Sequence, residues 1–192
     1  MGALADCELV KSALLGQPAN TITTLAFMIG GLVVAQRPRL RWIGAALFAT
    51  GIGSFLFHGP MPPRAEWAHD TTLVWLILVI AGWNRPWERW TLLPGLTVLG
   101  VAFLAAPLIA DPVGVGLTVA ALGLLLIPDR SFGNWGPMAL LGLAAVIGRL
   151  GATGGPLCNP ESLFQPHALW HIASATAVVW WALARPRFDE RE

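Results

Sequence analysis

Residues 41–58 read RWIGAALFATGIGSFLFH, an apolar run that begins at an arginine and ends at a histidine. A helix of roughly 20 such residues is long enough to cross the hydrocarbon core of a bilayer. Over the whole chain, 55% of the 192 residues are hydrophobic and 12% are charged. This composition predicts a polytopic membrane protein, and the net charge of +1 argues against a nucleic-acid partner.

Arginine clusters and Pro/Gly turns on either side of this run divide the chain into seven apolar segments. We expect these segments to form one seven-transmembrane helix bundle, an all-α domain that occupies residues 1–192. Residues 1–18 would form an outer interfacial segment and residues 186–192 a cytoplasmic tail. The predicted spans lie near residues 19–36, 41–58, 66–84, 90–110, 112–128, 135–154 and 166–185.

Basic residues in the connections predict the orientation of the bundle. Nine lie after the first, third, fifth and seventh spans, whereas only Lys11 and Arg64 lie on the opposite side. The positive-inside rule therefore predicts an outer N-terminus and a cytoplasmic C-terminus. Arginine far outnumbers lysine, and Ala, Gly and Pro are frequent, so we expect a bacterial inner-membrane protein. The predicted orientation puts its site towards the periplasm. The nine residues are Arg37, Arg39, Arg41, Arg85, Arg89, Arg130, Arg185, Arg187 and Arg191.

Five polar residues within the spans stand out, and the predicted topology places all of them in the outer third of the membrane. Ionisable groups inside a bilayer cost roughly 3 kcal/mol each even on lenient scales, so their presence indicates function. Two pairs among the five are four residues apart, and each pair therefore shares one face of a helix. The five are Ser54, His58, Asp70, His167 and His171.

Three neutral imidazoles can hold a zinc ion tetrahedrally and leave a fourth position for water. Zinc lowers the pKa of such a water towards about 7. We expect Asp70 to orient this water and take its proton, and Ser54 to donate a hydrogen bond to a substrate carbonyl or to Asp70. His69 precedes Asp70, and adjacent residues do not share a helix face, so we interpret His69 as interfacial unless a loop there brings it to the metal.

At these residues the chain resembles the alkaline ceramidases, within the membrane-hydrolase superfamily that includes the adiponectin receptors. The matching motifs are GIGSFLFH at 51–58, Asp70, HALWH at 167–171, and Cys7-Glu8 followed by Asn20-Thr21. The resemblance covers essentially the whole chain and implies a seven-helix bundle with zinc held by the three histidines. It also implies hydrolysis of the amide bond of ceramide or a related N-acyl lipid to a sphingoid base and a free fatty acid.

The resemblance has two further implications for the N-terminal region. One is a disulfide between Cys7 and Cys158. The other is a calcium site of the kind ascribed to eukaryotic members, for which Asp6, Glu8, Gln17 and Asn20 are the candidates. These four supply only two carboxylates, whereas calcium takes about six to eight oxygen ligands, so calcium binding and a solvated interfacial role both stay open.

Arg149 is the one basic residue inside a predicted span. It could hold the carboxylate of a released fatty acid or extend to the outer interface, and the sequence does not separate these roles. Two other functions compete with a zinc amidase. One is a serine hydrolase that uses Ser54 with a histidine base, and the other is a lipid-binding or receptor-like bundle with structural zinc. A structural zinc site has four protein ligands, so three histidines favour an open site unless Asp70 also coordinates.

Overall fold

The computed structural model describes residues 3–127 and 131–185, and these residues form helices and connections with no β-strand among them. The all-α prediction is confirmed for them. Arg130, Arg187, Arg191 and the predicted tail 186–192 lie outside the described residues. The α-helices are α1 (Pro18–Thr23), α2 (Leu25–Ala35), α3 (Arg41–His58), α4 (Ala65–Gly82), α5 (Glu88–Thr91), α6 (Leu93–Ala105), α7 (Ala110–Leu126), α8 (Phe132–Leu150) and α9 (Pro166–Leu183), and 3₁₀ turns occupy Ala3–Asp6, Pro38–Leu40 and Pro107–Ile109.

Each of the seven predicted segments contains a helix, but two of them are interrupted. The first is divided at Thr24, whose hydroxyl donates to the carbonyl of Thr21. The predicted single helix over 90–110 is wrong, because α5 ends at Thr91 and α6 begins at Leu93 and ends at Ala105. Proline explains both limits of α6: one lies in its first turn, and the other starts the 3₁₀ turn that follows.

Within the described ranges, three helical stretches are both long and apolar enough to cross a membrane. They are Pro18–Ala35, Pro38–His58 and Pro107–Leu126. Helices α4 and α9 also contain 18 residues each, but they carry the polar residues singled out from the sequence. Helix α3 also carries two of these residues, Ser54 and His58, and still lies within one of the three stretches.

Glycines allow α3 to pack closely against both of its neighbours. A Cβ at Gly44 would lie 2.7 Å from the carbonyl oxygen of Gly31 on α2, so no side chain fits there. A Cβ at Gly53 would lie 2.9 Å from the carbonyl oxygen of Ala68 on α4. This second approach places the first turns of α4 beside the end of α3 that carries Ser54.

Two arginines donate hydrogen bonds to carbonyl groups near the last residues of α9 and α7. The last residues of α9 lie away from its first turn, which carries His167. Arg37, which follows α2, donates to the carbonyl of Leu183 at 3.0 Å at the end of α9. Arg85, which follows α4, donates to the carbonyl of Leu124 at 2.9 Å near the end of α7. These cations satisfy helix carbonyls and suit the negative end of the helix dipole. At 1.5 Å per residue, the 18 residues of α9 separate this end from its first turn by about 27 Å.

Candidate metal centre

Three histidines from two helices meet near one end of the bundle. His58 is the last residue of α3, and His167 and His171 occupy the first two turns of α9. Each offers one ligand atom, and these atoms lie within 4.8 Å of one another. The ring centroid of His58 lies 5.0 Å from the centroids of the other two rings, and those two centroids are 4.6 Å apart. The four-residue spacing on α9 therefore does place its two rings on one face.

The N-terminal segment, which we define as residues 6–23, contacts the Nδ1 atom of each ring. The Oε1 atom of Gln17 lies 2.7 Å from Nδ1 of His58 and accepts a hydrogen bond from it. The carboxylate of Asp6 lies 3.3 Å from Nδ1 of His167. Burial raises the pKa of the Asp6 carboxyl to about 6, against an opposing effect of the charge on His69. Asp6 is therefore mostly ionised at pH 7 and can accept from an Nδ1–H group.

The third ring is oriented by backbone as well as by a side chain. Nδ1 of His171 lies 3.1 Å from the carbonyl oxygen of Asn20 and 3.1 Å from the hydroxyl of Thr23. A carbonyl oxygen can only accept, so the proton of a neutral His171 lies on Nδ1. Phe27 packs edge-on against the same ring, with centroids 5.6 Å apart. These contacts fix both the tautomer and the orientation of His171.

The three Nε2 atoms differ from the Nδ1 atoms, each of which has a polar contact with the N-terminal segment. All are buried, and among the described residues none of them has a hydrogen-bond partner. Leaving a buried polar atom unsatisfied costs about 1–3 kcal/mol, so three at one place require an explanation. An imidazole protonated on Nδ1 carries a lone pair on Nε2. Because one ligand atom of each ring lies within 4.8 Å of the others, three such lone pairs fit a bound metal ion.

Asp70 and His69 form a hydrogen-bonded pair beside this cluster. The Nδ1 atom of His69 lies 2.8 Å from the Asp70 carboxylate, although adjacent residues do not share a helix face. Because α4 is continuous there and His69 is not in the group of close ligand atoms, the interfacial role of His69 stays a prediction. The His69 ring stacks on Phe57 and its centroid lies 6.2 Å from that of His58. Among the described residues, Asp70 is not part of the group whose ligand atoms lie within 4.8 Å. Rotation of the two side chains towards each other explains how neighbours on a helix come into contact.

Ser54 and Arg149, the other two residues singled out on the spans, differ in burial. Ser54 is 1% exposed and lies one turn before His58 on α3. Arg149 is exposed in the last turn of α8. Both roles considered for Arg149 stay predictions, whereas the burial of Ser54 agrees with a role inside the protein.

The four residues considered for calcium make other contacts. Both oxygens of the Glu8 carboxylate accept from backbone N–H groups, those of Ala19 and Asn20, each at 2.8 Å. Asp6 and Gln17 face histidines, as described above, whereas Oδ1 of Asn20 is buried without a partner in the described part of the chain. Most of these oxygens are thus already used within the protein, and calcium binding stays a prediction.

A disulfide between Cys7 and Cys158 joins the N-terminal segment to the connection between α8 and α9. Two backbone hydrogen bonds support the same junction: Leu9 donates to the carbonyl of Pro160, and Thr153 donates to that of Ala5. Because the connection leads directly into the first turn of α9, the disulfide ties the N-terminal segment to the element that carries two of the histidines.

A groove of about 580 Å³ lies beside the cluster, between the N-terminal segment and the start of α9. Its lining includes the apolar Leu9, Ile22 and Leu163 and the charged Lys11 and Glu161. Thr23, which contacts His171, and Ala168, which follows His167, also line it. The groove therefore combines an apolar wall with a charged rim next to the histidines.

Neither the models of known protein families nor the curated proteins compared with this sequence give a match.

The three histidines are recognisable in the sequence, but the groups that orient them are not. Gln17, Asn20 and Asp6 are predicted there as calcium ligands, and Thr23 has no predicted role. One signal was present in the sequence: polar side chains recur through residues 17–24, at the start of an apolar span. Buried polar groups are hydrogen-bonded in folded proteins, so this run of polar residues indicates hydrogen bonds to other buried polar groups such as the histidines.

Proposed function

We propose that this chain is a metal-dependent membrane hydrolase that cleaves the N-acyl amide bond of ceramide or a related lipid. The products would be a sphingoid base, or another amine, and a free fatty acid. In this proposal seven helical segments cross the membrane, the N-terminus is outside, and the site faces the periplasm. The reaction class rests on the resemblance to alkaline ceramidases, and the metal centre rests on geometry.

The observation that carries the proposal is the convergence of three histidines whose ligand atoms lie within 4.8 Å of one another and whose buried Nε2 atoms have no partner in the described part of the chain. Three histidines leave a fourth position open, which is typical of catalytic zinc sites, whereas structural sites are closed by four protein ligands. Asp70 lies outside the group of close ligand atoms, which supports the open arrangement. Zinc bound there would act as a Lewis acid and lower the pKa of a coordinated water.

Two side chains of the protein are assigned to the chemical steps. Asp70, oriented by its hydrogen bond from His69, accepts the proton of the attacking water and returns a proton to the leaving amine. The buried hydroxyl of Ser54 donates a hydrogen bond to the carbonyl oxygen as negative charge develops on it. Water adds across the C–N bond: the acyl carbon takes the hydroxyl and the nitrogen takes the proton.

The surface of the protein supports a place in the membrane. Large apolar side chains are exposed along several helices, among them Leu32, Val98, Val119 and Leu143, each about 60% exposed or more. Soluble monomers rarely expose contiguous apolar patches above a few hundred Å². The groove beside the histidines adds an apolar wall and a charged rim, which suit an amphipathic substrate.

The proposal is tested by incubating the purified protein in detergent with a panel of N-acyl lipids, with and without a strong zinc chelator. We expect fatty-acid release that the chelator abolishes and added zinc restores. Release that survives complete metal removal would favour a serine hydrolase using Ser54. Zinc binding without release from any member of the panel would favour the non-enzymatic, receptor-like alternative.

A further inference from the structure

We propose that Gln17 is a positioning residue of the metal centre, and that through it the N-terminal segment selects the metal-binding tautomer of His58. This inference rests on the proposed metal centre but adds a role that the three ligands do not themselves reveal. Gln17 is fully buried, with 0% of its surface exposed.

The orientation of the Gln17 amide follows from its contacts with Glu8 and with Asn20, whose Nδ2 atom donates to Oε1 of Gln17 at 3.3 Å. The Nε2 atom of Gln17 donates to the carbonyl oxygen of Glu8 at 2.8 Å, and a carbonyl cannot donate in return. The Oε1 atom therefore faces Nδ1 of His58 as an acceptor, at 2.7 Å. An acceptor at this distance requires hydrogen on Nδ1 and leaves the lone pair on Nε2. If the amide were reversed, its oxygen would face the Glu8 carbonyl oxygen, and its nitrogen would face the Nδ2 donor of Asn20.

The backbone of the same residue holds the end of α3. The N–H group of Gln17 donates to the carbonyl of His58 at 2.8 Å, and that of Gly16 donates to the carbonyl of Gly59 at 2.9 Å. The last carbonyls of a helix have no partner within it, so these bonds satisfy groups that would otherwise be unpaired. Gln17 thus contacts both the main chain and the side chain of His58, which fixes the ring relative to the helix.

The rest of the N-terminal segment also orients a histidine of α9. The Glu8 carboxylate accepts from the N–H groups of Ala19 and Asn20, which locks the turn that follows Gln17. The carbonyl of Asn20 is thereby aimed at His171. Hydrogen-bonded partners of this kind fix the ring orientation of metal-binding histidines, and their loss reduces metal affinity by about 10–100-fold.

The test compares Gln17→Leu with Gln17→Glu and with a control, Asn134→Leu. Asn134, on α8, is also a buried amide, 2% exposed, and accepts from Trp181 near the end of α9 that lies away from the histidines. Zinc affinity is measured in detergent by competition with a chromophoric chelator, and thermal stability is measured in parallel. We expect Gln17→Leu to weaken zinc binding about 10–100-fold. Gln17→Glu keeps the acceptor that faces His58 but loses the donor to the Glu8 carbonyl, so it should recover part of this loss. Asn134→Leu should lower stability with unchanged zinc affinity.

A second readout needs no variant that might fail to fold. Imidazole ¹⁵N chemical shifts of histidine-labelled, metal-free protein report which ring nitrogen carries the proton. We expect His58 to be protonated on Nδ1 in the wild-type protein. A proton on Nε2 of His58, or wild-type zinc affinity in Gln17→Leu, would overturn this inference. Neither result would remove the metal centre, whose own failure would be a wild-type protein that does not bind zinc.

Discussion

Asp70 and Ser54 have distinct proposed roles that substitution can separate from metal binding. Asp70→Asn removes the proton acceptor but keeps the size of the side chain, so we expect kcat to fall by about 10²–10⁴-fold with zinc content unchanged. Ser54→Ala removes one donor to the developing oxyanion, and we expect a loss of about 10²–10³-fold. The measurement is fatty-acid release beside metal analysis of the same samples. Wild-type kcat in Asp70→Asn would assign the proton transfer to another group.

The histidine cluster was predictable from helical spacing together with the predicted topology. His167 and His171 are four residues apart, and the predicted alternation of seven spans puts His58 at the same depth. The contacts around the cluster were not predictable in the same way. The hydrogen bond between His69 and Asp70 depends on side-chain rotation, and the approach of Gln17 to His58 depends on the path of a segment that lacks helical periodicity.

The disulfide is the feature of the N-terminal segment that most directly fixes it to the rest of the molecule. It joins residues separated by 151 positions and so closes a long loop in the unfolded chain. Its removal raises the conformational entropy of the unfolded state. We expect the double variant Cys7→Ser, Cys158→Ser to lose about 2–5 kcal/mol of stability and to bind zinc more weakly. Thermal unfolding and zinc competition measure the two effects. Unchanged zinc affinity after loss of the disulfide would show that the segment orients the histidines without it.

The packing of α2 on α3 gives an independent test of the fold. In Gly44→Ala the new methyl group would meet the backbone of Gly31 and Ala35, so we expect a loss of about 1–3 kcal/mol and a lower Tm. Gly116→Ala on α7 is the matched control, because a Cβ there meets nothing within 4 Å. Its higher helix propensity should leave Tm equal or slightly raised. Equal losses in both variants would contradict the close approach of the two helices.

Element boundaries were predictable where the sequence changes character abruptly. The span over 41–58 coincides with α3, since an arginine cluster precedes it and a glycine follows it. The prediction of one helix over 90–110 was wrong because it rested on apolar composition and did not take account of two prolines in this range. Apolarity indicates what can enter a membrane, whereas the continuity of a helix depends on backbone N–H groups that proline lacks.

The predicted orientation of the whole molecule is testable by labelling single cysteines in intact cells. The two native cysteines are joined to each other, so an introduced thiol supplies the signal. Arg39 and Glu161 are both exposed and lie on opposite sides of the proposed bundle. We expect a membrane-impermeant maleimide to label Glu161→Cys from outside and to label Arg39→Cys only after the cells are opened. The reverse pattern would place the histidines towards the cytoplasm and contradict the positive-inside prediction.

The central claim is that three histidines and their free Nε2 atoms form one metal site. It is tested most directly by measuring the zinc content of purified wild-type protein and of His58→Ala, His167→Ala and His171→Ala by mass spectrometry. We predict one zinc per wild-type chain, and strongly reduced content in each variant, because two ligands hold zinc much more weakly than three. Wild-type protein that stays free of metal in the presence of zinc, or variants that retain a full equivalent, would contradict it.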